Sequence, residues 1–169
     1  MVVGVLALTV VVLAVVAFRA RPEGGGVSTA PLRGEEVTLG PATHVGSEAS
    51  MQIPEGQPPA GGPHFASPLA PGVYDESQQD GFLIHSLEHG MIWISYRPDL
   101  LGPGDLQTLR KVAHAYSDDV VLSPRPANSA PVSLVSWGRR LTAAMPLQEQ
   151  QLRDFVTTNR NRSPEPGVR

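Results

Sequence analysis

Glycine and proline together make up one residue in five, 17 of each in a chain of 169, against roughly 12 % for the pair in average proteins. Glycine loosens the backbone and proline removes an amide donor, so helices of coiled-coil length cannot run through such a chain. An all-helical bundle is thereby excluded and a loop-rich domain is expected. The punctuation is heaviest between residues 50 and 75, where Pro58-Pro59-Ala60-Gly61-Gly62-Pro63-His64 forbids a helix. Composition alone reads that stretch as loop or linker.

The amino-terminal stretch Val2–Phe18 is of another kind, with 15 apolar residues out of 17 and no charge. As a helix it would be about 26 Å long, close to a bilayer core of roughly 30 Å. Arg19 and Arg21 follow it and can reach the headgroups. The stretch lacks the basic flank of a signal peptide, so a retained, single-pass membrane anchor over residues 1–18 is expected. Its only basic flank lies on the domain side, which by charge alone would place the domain in the cytoplasm.

Residues 19–42, with Glu23-Gly24-Gly25-Gly26 and no sustained period, read as a flexible linker, 43–166 as a domain and 167–169 as a tail. Three Arg face nine acidic residues up to residue 95, and ten Arg and Lys face seven acids beyond it. The arginines are scattered without interleaved aromatics, which argues against a nucleic-acid partner. With no cysteine, disulfides, thiolate metal sites and cysteine nucleophiles are excluded.

Hydrophobic periodicity places a short helix over Ser77–His89, stopped by Gly90, and a strand over Met91–Tyr96 that is apolar on both faces. Asp105 would cap a helix bearing Leu106, Leu109, Val112, Ala113 and Tyr116. Strands over Val120–Leu122 and Val132–Trp137 follow, then a helix from Pro146 with Leu147, Leu152, Phe155 and Val156 inward. Asn161 onward reads as a tail. The fold class expected is α+β: a short sheet with helices on one face, behind one membrane helix and a linker. Trp137 should be largely buried against the helices.

The chemistry is concentrated in His85-Ser86-Leu87-Glu88-His89-Gly90. On a helix His85 and His89 lie one turn apart on one face, close enough to converge on one ion. Glu88 could be a ligand, orient a histidine or act as a general base. H-x-x-E-H is also a metalloprotease signature. Here the helix stops at once, however, and only Glu149 and Glu165 remain downstream as a third ligand. Two histidines bonded to Glu88 and to carbonyls, without metal, explain the spacing equally well.

His64 sits behind the stiff Gly62-Pro63 pair, which could deliver its imidazole to a preformed site. His44 falls in linker-like sequence and reads as solvated, and His114 as an exposed helix residue. Met51 and Met91 are possible soft ligands for copper. No residue is assigned a catalytic role.

The chain resembles the bacterial proteins grouped as domain of unknown function 3105. The resemblance rests on Pro58-Pro59-Ala60-Gly61-Gly62-Pro63-His64, Gly72-Val73-Tyr74, His85-Ser86-Leu87-Glu88-His89-Gly90 before a strand ending in Tyr96, Ser136-Trp137-Gly138-Arg139 and Pro164-Glu165-Pro166. Gly61 stands where the family usually has serine. The resemblance implies a domain displayed outside the cytoplasm behind one membrane segment, and it implies no activity. It also draws the Pro-Gly loop into the domain, making His64, His85 and His89 with Glu88 a plausible cluster.

The expected function is therefore an extracytoplasmic, membrane-anchored domain that binds zinc or copper through His64, His85 and His89. A metal-free envelope domain binding protein partners is the alternative, and a zinc hydrolase using Glu88 is a third reading.

Overall fold

The computed structural model describes residues 26–168, so the expected anchor over residues 1–18 lies outside the described residues. Among the described residues no helix is long and apolar enough to cross a membrane.

Three strands form the centre of the sheet: β3 (Ile92–Tyr96), β4 (Val120–Pro124) and β5 (Val132–Ser136), every residue of which is buried. Strands covered on both faces read as continuous apolar runs, and strand alternation divides theirs cleanly. Ile92, Ile94, Tyr96, Val120, Leu122, Val132 and Leu134 face one side; Trp93, Val121 and Val135 face the other. β3 pairs parallel with β4 and antiparallel with β5. Short strands complete a six-stranded mixed sheet in the order β1-β6-β5-β3-β4-β2. These are β1 (Glu35–Glu36), β2 (Gly72–Val73) and β6 (Arg139–Thr142). The stretch expected as linker thus carries an edge strand, continued by the Val37 N–H donating to the Gly138 carbonyl at 3.0 Å.

Helices cover both faces of this sheet, not one as expected. α2 (Pro103–Ala115) and α3 (Glu149–Asn159) bring Leu109, Val112, Leu152, Phe155 and Val156 onto the first face. α1 (Asp80–Glu88) lays Leu83 and Leu87 on the second, against Trp93, Val121, Val135 and Met91. A strand apolar on both sides leaves about 1.5–3 kcal/mol per large side chain unrealised unless both sides are covered. α2 begins earlier than expected because Gly102 and Pro103 open it; Asp105 caps from the third position, its Oδ2 accepting the Gly102 N–H at 3.2 Å. α3 begins at Glu149, later than expected from Pro146.

α1 is fastened at both ends. Asp80 accepts from Arg125 through both carboxylate oxygens at 2.8–3.2 Å, with both side chains buried. Arg125 donates onward to Asn128 at 3.0 Å, and Asn128 to Ser95 on β3 at 2.8 Å. At the other end Gly90 turns with φ +89, and a Cβ there would meet the Asn161 backbone at 2.7 Å. The stretch read as a tail lies across this end. The N–H groups of Asn161, Glu165 and Gly167 donate to the carbonyls of Gly90, Glu88 and His89 at 2.8, 3.1 and 3.2 Å. Helix-terminal carbonyls without a following turn are satisfied in this way.

Trp137 corrects a further expectation. It is only partly buried, and it packs beside the Pro-Gly loop rather than under α2 and α3.

Candidate metal centre

The Pro-Gly loop reaches the centre through two glycines in left-handed conformation, Gly61 (φ +146) and Gly62 (φ +100). A side chain at Gly61 would run into Leu39 at 2.6 Å. The loop ends at His64, which is fully buried. Its Nδ1 lies 2.8 Å from the Gly62 carbonyl, a contact that needs the proton on Nδ1, so that in the neutral imidazole the lone pair is on Nε2. That Nε2 faces the Glu88 carboxylate at 3.0 Å without the alignment of a hydrogen bond, and no other partner satisfies it.

His85 is held in the same way from another direction. Gly81 lets Phe65 approach α1 so closely that a Cβ there would meet the Phe65 ring at 2.6 Å. The Phe65 N–H donates to the Gly81 carbonyl at 3.2 Å, and the Phe65 carbonyl accepts from His85 Nδ1 at 2.7 Å. Imidazoles that ligate metals commonly donate their second N–H to such a carbonyl, which fixes tautomer and ring orientation. Burial lowers the His85 pKa, opposed by the Phe65 hydrogen bond and then reinforced by the neighbouring His89 and His64, with Glu88 raising it. The neutral form that a ligand requires is favoured.

His44, His64, His85 and Glu88 each offer one donor atom within 4.8 Å of all the others. Nitrogen and oxygen donors at about 2.0–2.2 Å from zinc stand roughly 3.3 Å apart in a tetrahedron, so a contraction on the order of 1.5 Å would close the group around one ion. A His/Glu group close enough to hold a metal is therefore present.

The structure brings His64, His85 and Glu88 of the expected set together, and adds His44. His89, the C-cap of α1, touches the group through His85: the two Nε2 atoms are 3.1 Å apart. On its outer side His89 Nε2 lies 3.7 Å from the exposed Glu165 carboxylate, and its buried Nδ1 has no hydrogen-bond partner. Met91 is buried among Leu83, Leu87 and Trp93, and the Met51 methyl group lies over Gly81. His114 is exposed on α2.

His44 carries no periodic or motif signal. It is exposed, and it reaches the centre only because residues 43–45 lie alongside His64. The Val45 N–H donates to the His64 carbonyl at 2.8 Å and the His64 N–H to the Thr43 carbonyl at 2.9 Å.

Fold and site together define a small α+β domain in which a strap, a Pro-Gly loop and one helix converge on a histidine-carboxylate cluster. The chain belongs to the family described as protein of unknown function (DUF3105), which it matches over residues 44–169. No curated protein and no solved structure is found to match it.

Proposed function

We propose that the protein is a membrane-anchored domain, displayed outside the cytoplasm, that binds one zinc or copper ion through His44, His64, His85 and Glu88. His89 is a further donor at the edge of the centre. The observation that carries this reading is the His64–Glu88 contact. In the neutral form of His64 that a metal ligand requires, an imidazole lone pair and a carboxylate oxygen face each other at 3.0 Å inside the domain. Two buried acceptors in contact repel, and a cation between them converts the repulsion into two bonds. Imidazole and carboxylate donors without thiolate suit zinc and Cu(II). The apolar stretch at residues 2–18 supports the anchor, and the family resemblance supports the extracytoplasmic side.

Metal analysis of the full chain, purified in mild detergent, tests the centre. About one zinc or copper ion per chain is expected, lost in His64→Ala and retained in His114→Ala. A chain free of both metals that also takes up neither on titration would refute the reading. Protease protection in intact cells tests the orientation: the domain should be cleaved from outside.

A further inference from the structure

The four donors are not equivalent. His64, His85 and Glu88 are buried, whereas His44 is exposed. His64 and His85 each have Nδ1 tied to a backbone carbonyl, at 2.8 and 2.7 Å. Among the described residues no side-chain hydrogen bond holds the His44 ring, which is placed by backbone pairing across His64 and by ring contacts of 5.1 Å with His64 and 5.2 Å with His85. The three buried donors come from the loop and α1, which are fastened to the core; the fourth comes from a strap on the surface.

Resting on the metal-binding reading, we propose that His44 is the exchange ligand of the centre, so that the ion is held as transferable cargo rather than as a permanent structural element. The ion leaves by ligand substitution. An incoming nitrogen donor from solvent, an imidazole of an acceptor protein or a chelator, bonds to the metal as the His44 nitrogen bond breaks. The remaining three donors are then replaced in turn. No electron is transferred, and the His44 ring leaves neutral. Burial of the other three donors directs attack to this position, because His44 is the one exposed member of the group.

Zinc alone, loaded on the full chain in detergent and challenged with a chromogenic chelator, is the probe. In the unaltered chain the release rate should rise with chelator concentration. His44→Ala should still bind one zinc ion, with affinity lowered by at least the roughly tenfold that losing a ligand's outer-shell partner costs, and release it faster. His64→Ala should bind none. Equal affinity and equal release rate in His44→Ala would overturn the inference and leave the metal centre standing. Complete loss of zinc in His44→Ala, matching His64→Ala, would also overturn it, because His44 would then be a structural ligand. Failure of the unaltered chain to bind zinc or copper would instead remove the centre itself. To separate ligand loss from misfolding, His44→Gln should show the same kinetic change with an unaltered circular dichroism spectrum.

Discussion

His85 touches every other imidazole of the centre, stacked on His44 and edge-on to His64 and His89, with ring centroids 4.5–5.2 Å apart. Its pKa is lowered in the folded protein, first by burial, while the unfolded chain takes up the proton near 6.5. Between the two values the unfolded state binds more protons, so stability rises with pH there. The contribution is fully present above about pH 6.5 and is lost as pH falls below it. The thermal midpoint of the metal-free chain should therefore drop on acidification from about pH 7 to pH 5. His85→Gln should flatten that slope; an unchanged slope would show that other groups set it. Such residue-level behaviour was only partly legible beforehand. His85, Glu88 and His89 stand within five positions of one another, so helical spacing brings them forward, and His64 is marked by its stiff approach. His44 is an exposed residue in an irregular strap, and only backbone pairing across twenty residues places it.

Among the elements, α1 carries the chemistry and depends on its tether. Asp80→Ala would leave the Arg125 guanidinium buried without its carboxylate, a loss of about 3–5 kcal/mol. Urea unfolding should show it, and Asp80→Asn should recover part through the remaining hydrogen bonds. The two tryptophans make a second comparison. Trp93 is fully buried on β3 and donates to Ser123 at 2.9 Å, so Trp93→Ala should cost about 3–5 kcal/mol. Partly buried Trp137 should cost clearly less, and equal losses would contradict the packing described. The legible elements are those with enough apolar residues to show a period: α1 to α3 and β3 to β5. β1 and β2 are two residues long, too short for any period. β6, Arg-Arg-Leu-Thr, shows a single apolar residue to the core, Leu141. A strand apolar on both sides calls for cover on both, yet helices were expected on one face only, because no period in the sequence matches a particular helix to the second face.

For the whole molecule, the centre joins segments that meet only in the folded state. An ion that binds that state and not the unfolded chain stabilises by about 2.7 kcal/mol at a hundredfold excess over Kd. For a domain of this size that corresponds to roughly 5–10 °C in the thermal midpoint. Calorimetry of the zinc-loaded chain before and after EDTA should show such a drop, while the His64→Ala chain should show none. A midpoint indifferent to EDTA in a chain that demonstrably carried zinc would mean that the ion binds folded and unfolded states alike.

The strap that carries His44 has a mechanical meaning as well. Counted from the amino-terminal side, the first attachments are those of Ala30 and Arg33 to Arg162, Asn159 and Asp154, then the two-residue pairing of Glu35 and Glu36 with Arg140 and Arg139 and the Val37–Gly138 bond. The His44–His64 bridge comes next. Tension drawn along the chain from that side would load these contacts first and meet His44 next, ahead of the segments that carry β3, β4 and β5. The one exposed donor of the His/Glu group thus sits immediately behind the amino-terminal edge of the domain. If the group holds an ion as proposed, drawing out that edge would displace His44 while His64, His85 and Glu88 stay fastened to the loop and α1.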